Sequence, residues 1–299
     1  MKTFKRLMVG LDISLLDSTL IQFTAFLSEQ IKPEKIYFVH VHSELTLPDS
    51  LLKEIDGDTT PFDERIQKSL EDNLKKNFKN MDQFDVSVEV LEGSATKELL
   101  HRIEVKNVDL LIMGRKNQLP GLGVIPQQIA RQSKCSVWFI PEKMDLQIKE
   151  ILVPTDYSNY SKMALEKAIA LANGNMDVTI ICQNIYGMVS DFGRAMFYNE
   201  QKWQPLLQEL ALDAYNEFID TVDTDEAHIT PLLDYNYAYD HAKRCYETAT
   251  KNKTDLIVVG SQGKTGLKRW LLGSFTEKLI QYNKDIPMLV VKNVFPETA

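Results

Sequence analysis

Two landmarks of this chain occur twice, in the same order and at nearly the same spacing. Lys5-Arg-Leu-Met-Val-Gly-Leu-Asp12-Ile-Ser14 returns as Lys149-Glu-Ile-Leu-Val-Pro-Thr-Asp156-Tyr-Ser158, a short apolar run closed by Asp-x-Ser. Asn107-Val-Asp109-Leu-Leu-Ile-Met-Gly114 returns as Lys253-Thr-Asp255-Leu-Ile-Val-Val-Gly260. Ordered matches at near-equal offsets (12 to 156, and 109 to 255) mark a tandem duplication. The period is far too long for a solenoid, so each copy is expected to be a complete domain. The polar stretch Pro141–Gln147 places the join, giving domains 1–143 and 144–299 of the 299 residues.

Within each copy, short β-branched runs alternate with helical patterns. That order predicts an α/β fold: two doubly wound, Rossmann-like domains, each a five-stranded parallel sheet flanked by helices. In the first copy the strands read at Leu7–Leu11, Ile36–Val41, Val86–Val90, Leu110–Met113 and Val137–Ile140. Phe62, Ile66, Leu70, Leu74 and Phe78 recur every fourth residue and predict one apolar helix face. Ser94 is placed to cap a helix running to Val105. In the second copy the strands read at Ile151–Val153, Val178–Cys182, Ile229–Leu233, Leu256–Val259 and Met288–Val291. Ser158 is placed to cap an Ala-rich helix that ends at Asn173-Gly174. The stretch Tyr186–Pro205, with Phe192, Phe197, Tyr198 and Trp203, reads as an irregular flap or interface.

The chemistry concentrates after the fourth strand of the second copy, in Gly260-Ser-Gln-Gly263-Lys-Thr-Gly266-Leu-Lys-Arg-Trp-Leu-Leu-Gly273-Ser274. A strand, a glycine-rich loop and the helix beginning Phe275–Ile280 bring backbone N–H groups and a helix N-terminus to one point. Ser274, expected at the N-cap, adds a hydroxyl. In an open parallel sheet, ligands bind at the carboxyl ends of strands where the order reverses. With order 3-2-1-4-5, that crevice lies between Pro154-Thr155-Asp156 and the Gly260 loop. Asp156 can then meet a ribose hydroxyl or an adenine amino group, or serve only as a turn acid. Lys264, Lys268 and Arg269 stand against an acidic background of net charge −8, as phosphate contacts or as a solvated loop face. The glycine spacing is neither the dinucleotide fingerprint nor a Walker A loop.

Gly260, Gly263, Gly273 and Ser274 match Gly-x2-Gly-x9-Gly-Ser/Thr at every position, and Val153-Pro-Thr-Asp156-x-Ser158 matches the entry strand and turn that go with it. On these residues the second copy resembles a nucleotide-binding universal stress protein domain, and the duplication extends the likeness to a tandem form. The resemblance implies a stress-response role and ATP, or AMP or another adenine nucleotide, accompanied by Mg or Mn. It implies phosphates at Gly260, Gly263, Gly273 and Ser274. It implies adenosine contacts from Asp156 and from the backbone near Ile185. Pro154, Thr155, Lys264 and Phe275 complete the candidate cofactor-binding set. It also implies pairing through fifth strands, as a homodimer or as a pseudo-dimer of the two halves.

The first copy departs from that pattern. Its loop, Gly114-Arg-Lys-Asn117-Gln-Leu-Pro120-Gly121-Leu-Gly123-Val124, is shorter, has Asn117 at the second glycine and Val124 at the hydroxyl position. Asp12 remains. This half is expected to bind ATP weakly or not at all.

Composition excludes several classes. With 44% hydrophobic and 25% charged residues, and no run of about 18 apolar ones, a soluble cytoplasmic protein without a membrane span or secretory leader is expected. The acidic charge argues against nucleic acid as a partner. Cys135, Cys182 and Cys245 show no metal spacing or disulfide framework. His40-x-His42 puts two rings on one side of a strand without a third ligand. His101, His228 and His241 are scattered. Trp270-Leu-Leu272 reads as a packing anchor of the loop or a subunit contact rather than a stacking platform. No catalytic or metal residue is assigned, so slow ATP hydrolysis is the most that is expected. A nucleotide-dependent sensor or regulator is the first reading. A weak ATPase or phosphotransferase using Asp156 or Asp255, and a scaffold without ligand, are the alternatives.

Overall fold

The computed structural model describes residues 4–43, 61–116, 124–172, 175, 177–187, 200–224, 227–235, 240–264 and 272–292. It divides into two compact units, Phe4–Leu146 and Gln147 onward. In the first unit the strands are β1 (Arg6–Leu11), β2 (Lys35–His42), β3 (Val86–Glu92), β4 (Leu110–Arg115) and β5 (Ser136–Pro141). All pair in parallel, in the order β3-β2-β1-β4-β5. In the second unit β6 (Glu150–Pro154), β7 (Thr179–Tyr186), β8 (His228–Tyr235), β9 (Leu256–Gly260) and β10 (Met288–Val291) repeat that order as β8-β7-β6-β9-β10. The expected order therefore stands in both copies.

The helices of the first unit are α1 (Leu16–Ile31), α2 (Phe62–Asn77), α3 (Ala95–Val105) and α4 (Val124–Gln132). Those of the second are α5 (Asn159–Ala172), α6 (Glu200–Ile219), α7 (His241–Asn252) and α8 (Ser274–Tyr282). Central strands are apolar without alternation because helices cover both faces: β9 is buried at all five positions and β10 at all four. The edge strands β3 and β8 are half-buried, and β8 holds Pro231, which an edge strand tolerates because one side of its ladder is unpaired. Burial of each large aliphatic or aromatic side chain in such a core contributes about 1.5–3 kcal/mol. In the first unit this core includes Phe23 edge-on to Trp138 at 4.9 Å between ring centres.

Local sequence explains the element ends. Ser158 Oγ accepts from Ser161 N at 3.2 Å and caps α5 as expected. Helix α2 carries Asp63 and Glu64 in its first turn and Lys75 and Lys76 in its last, complementing the helix dipole. Its Ile66, Leu70 and Leu74 are buried as the four-residue period requires. Phe62 is partly exposed and packs edge-on to His42. The expected irregular segment to Pro205 is shorter than read: α6 already begins at Glu200 and contains Pro205. A proline one turn inside removes a single hydrogen bond near the amino end, and burial of Ala211, Tyr215 and Phe218 holds the rest. Phe192, Phe197, Tyr198 and Asn173-Gly174 lie outside the described residues, as do Lys268, Arg269, Trp270, Gly266 and the loop 117–123.

The duplication extends to unfavourable backbone. Ile13 (φ 59°) and Tyr157 (φ 63°) occupy the same turn of the two copies, after β1 and β6. A β-branched residue at positive φ is strained, and in the first unit the buried Asp17 carboxylate holds it by accepting Ile13 N at 2.9 Å and Asp12 N at 3.1 Å. Asp109 and Asp255 also match in role. Asp109 accepts Lys5 N and Arg6 N, and Asp255 accepts Lys149 N at 2.8 Å and Glu150 N at 2.9 Å. Each acid thus ties the first residues of the first strand to the fourth.

Candidate functional site

At the carboxyl ends of β6, β7 and β9 lies a cavity of about 580 Å³. This falls within the roughly 300–1,000 Å³ of small-molecule sites. One wall is Pro154, Thr155, Asp156 and Ile185; the other is Gly260, Gly263, Lys264, Gly273, Ser274 and Phe275. The fold therefore brings all ten candidate residues to one cavity. Its floor and rim include Ser161, Gln183, Asn184, His241, Gln262 and Thr276, none of which the motif singled out.

The turn after β6 is cross-braced. Thr155 Oγ1 accepts from Tyr157 N at 3.0 Å and donates to Ser161 Oγ at 3.0 Å. Asn184 Nδ2 donates to the Thr155 carbonyl at 2.8 Å. Asp156 Oδ1 accepts Ser158 N at 3.1 Å, and its Oδ2 accepts Lys264 N at 2.8 Å. Asp156 is thus both a turn acid and the clasp between β6 and the glycine loop. Each of its oxygens retains a second lone pair for a ligand hydroxyl. Tyr157 lies under Lys264, whose ammonium is 5.7 Å from the ring centre. Burial, reinforced by Cys182 and Tyr215, pushes the Tyr157 hydroxyl pKa far up, so it stays a neutral donor.

The glycines have three different reasons. A Cβ on Gly260 would stand 2.7 Å from the Tyr160 carbonyl oxygen, so this residue lets α5 approach the strand end. A Cβ on Gly263 would stand 2.4 Å from Asp156 Oδ2, so this residue makes room for the clasp. Gly273 donates its N–H to the Ser261 carbonyl at 2.8 Å, closing the loop on itself. The helix opens one residue earlier than expected: Gly273, in extended conformation, is the N-cap, and Ser274 is the first helical residue. The amides of the first helical turn have no intrahelical acceptor. Ser274 and Phe275 therefore present N–H groups, with the Ser274 hydroxyl and the positive end of the dipole, to the cavity. Thr276 Oγ1 donates to the Gly260 carbonyl at 2.7 Å and fixes this turn to β9. Asp255 is not part of the site. It lies at the amino ends of the strands, held by Lys149 and Glu150, so its expected role in aligning water or metal is withdrawn.

His241 opens α7 and reaches the cavity because Asp240 caps that helix, accepting Lys243 N at 3.2 Å, and also accepts from the Tyr282 hydroxyl at 2.6 Å. That hydroxyl holds the Asp240 carboxyl below the usual range.

The matching place in the first unit is small. Its crevice measures about 130 Å³ and is lined mostly by apolar side chains, including Leu16, Leu20, Val39, Leu99 and Met113. Leu16 fills the space before Gly114, where a Cβ would meet its Cδ2 at 2.4 Å. Lys116 pairs with Asp12 at 2.5 Å. His40 Nδ1 meets the Leu11 carbonyl at 3.0 Å, and burial lowers its pKa. His42 lies 3.0 Å from Asp63, its ring stacked on that of His40. Among the described residues no group of three His, Cys, Asp or Glu is placed to hold a metal ion. The three cysteines are buried and not joined in a disulfide; burial pushes the Cys182 thiol up to about 12. Among the described residues no helix is long and apolar enough to cross a membrane.

A model of the Universal stress protein family matches residues 3–141 and again 147–292. A universal stress protein of Methanocaldococcus jannaschii is 34% identical over 149 residues, 48% of this chain and 82% of that protein. Among solved structures, a universal stress protein from Archaeoglobus fulgidus is similar with a TM-score of 0.62 at 15% identity, covering 96% of both chains. A functionally unknown protein from Pseudomonas aeruginosa is similar with a TM-score of 0.67 at 13% identity, covering 98% of this chain and 94% of that one. At such identities these structures speak to the tandem fold alone.

Proposed function

The chain belongs to the universal stress protein family, and from that premise we propose that its second domain binds one adenine nucleotide and acts as a nucleotide-dependent regulator in stress response. The carrying observation is the asymmetry between equivalent crevices: about 580 Å³ with an amide-rich wall in one copy, about 130 Å³ and apolar in the other. In this reading the phosphates lie against the first turn of α8, receiving N–H from Ser274 and Phe275, the Ser274 hydroxyl and the Lys264 ammonium. The adenosine lies against Pro154, Thr155 and Ile185, with a ribose hydroxyl donating to Asp156. Gly260, Gly263 and Gly273 shape the loop rather than ligate. Mg or Mn would enter with the phosphates, held by phosphate oxygens and water.

Asp156 already accepts two backbone amides, which suits it to hold the loop rather than to act as a base. Binding, with hydrolysis slow at most, is therefore the favoured activity. Occupancy would bridge α8 and β6, and any partner that prefers the bridged loop would be recruited by differential affinity. A homodimer is part of the same proposal, and sedimentation of the purified chain tests it.

The test is the nucleotide content of the purified protein, with calorimetric uptake of ATP. Uptake of one nucleotide per chain is expected, lost in Gly263→Val/Gly273→Val while the fold survives. Wild-type affinity in that double variant would show the site to be elsewhere. Absence of uptake at millimolar ATP would leave the scaffold reading.

A further inference from the structure

Gly10 stands inside β1 of the first unit, where a glycine weakens a strand. Two reasons commonly keep a glycine in such a place, and neither holds here. Its backbone is ordinary: among the described residues Gly93 alone is a glycine at positive φ. Packing does not require it either. A Cβ at Gly10 would meet Leu99 Cδ1 at 3.8 Å and Met113 Cγ at 3.9 Å, both ordinary contacts, and no backbone of another segment comes within 4 Å. Gly260 and Gly263 differ, since a Cβ on either would clash. The remaining reason for a strand glycine is a ligand that comes close to the backbone.

Gly10 can be reached. It keeps partial exposure although Val9 and Leu11 on either side are buried. It opens into the crevice of about 130 Å³, between walls that include Val39, Leu99, Met113 and Ile125. One end of that crevice is polar, where Asp12 and Lys116 pair at 2.5 Å, both partly exposed. Helix α4, which brings Ile125 to the wall, has Pro126 in its first turn. It therefore lacks one of the N–H groups that α8 keeps for an anion.

An apolar cavity of about 150 Å³ holds benzene, so the space at Gly10 suits a ring or chain of about six carbons. The polar end offers one acceptor, the Asp12 carboxylate, and one donor, the Lys116 ammonium. A hydroxyl answers both, because it donates and accepts. An anionic group would meet Asp12 as a like charge. We infer that the first domain holds a small uncharged alcohol or phenol. Its apolar body lies against Gly10 and its hydroxyl between Asp12 and Lys116. This site belongs to the first unit alone and does not depend on nucleotide binding in the second.

The full chain is titrated with phenol and with toluene, which carries a methyl in place of the hydroxyl. Binding is followed by the carbon-13 methyl resonances of the methionines. Saturable shifts are expected at Met113, on the crevice wall, while Met288 of β10 stays still. Phenol should bind about two- to tenfold more tightly than toluene, the range for one hydrogen bond. Gly10→Ala should melt no lower than the wild type, because its methyl has room. Gly10→Leu fills the crevice and should lose the shifts with both compounds. Absence of a saturable shift at Met113 would overturn the site, and toluene binding as tightly as phenol would overturn the hydroxyl. Both results come from the wild type, so they stand even where Gly10→Leu does not fold. A lower melting temperature in Gly10→Ala would show that the fold itself requires the glycine, against the inference. Undiminished binding in a folded Gly10→Leu would place the ligand elsewhere.

Discussion

Replacing Gly260 by alanine tests the packing that shapes the site, and the duplication supplies the control. The added methyl would sit 2.7 Å from the Tyr160 carbonyl oxygen, 2.8 Å from its carbon and 3.0 Å from its Cβ. Ordinary contact begins at about 3.4 Å, so α5 or β9 must shift by roughly 0.7 Å, and two of the three obstacles are backbone atoms that no rotamer change removes. Overpacking of this kind costs about 1–3 kcal/mol. Gly114 holds the equivalent place in the first unit, where the obstacles are Leu16 Cδ2 at 2.4 Å and Cγ at 3.0 Å. The distance is shorter, but a leucine can change rotamer at a cost of order 1 kcal/mol. Urea titrations followed by circular dichroism should therefore show Gly260→Ala destabilised more than Gly114→Ala, although the raw distances point the other way. Adding Leu16→Ala should relieve Gly114→Ala, while no side-chain truncation should relieve Gly260→Ala. A Gly260→Ala protein as stable as the wild type would refute the argument that helix approach requires this glycine, as would the reverse ranking.

Two further outcomes follow from single groups. Burial, opposed by the amides of Asp12 and Ile13, raises the Asp17 pKa from 3.8 to about 6; the native state then keeps a proton that the unfolded chain loses. The group's contribution is fully present below about pH 4 and is lost as pH rises through 6, a change of roughly 3 kcal/mol for a shift of about two units. The stability difference between wild type and Asp17→Asn, measured by denaturant titration, should move in favour of the variant over that window; a difference independent of pH would sink the assignment. Asp255→Ala removes the acceptor of two strand-end amides and should cost about 1–3 kcal/mol in stability, while the folded protein should bind ATP with unchanged affinity. Loss of binding without loss of stability would return Asp255 to the site.

Much of the frame is legible in the residues. The ten described strands are legible to within a few residues of their ends because parallel strands covered on both faces must be continuously apolar. The exception is instructive. The run expected at Val178–Cys182 continues to Tyr186, and Gln183 and Asn184 conceal its second half because polar residues interrupt the pattern. Those two side chains line the cavity. A pair of polar residues inside a strand otherwise apolar was the available signal. His241 gave none, since its place depends on where Asp240 starts α7 against Tyr282.

The sequence by itself determined the duplication, the parallel α/β class, the strand that carries the glycine loop and the residues on it. These depend on the order of side chains along the backbone. Only the tertiary structure decided what those residues do. It separated Gly260, Gly263 and Gly273 into a helix approach, a space for Asp156 and a loop closure. It moved Asp255 to the far end of the strands and seated Gln183 against Asp234 and Thr248. Leu16 occupies in one copy the space that the other keeps as a cavity. Each of these is a contact between distant parts of the chain, fixed by strand order and helix approach rather than by spacing along the chain.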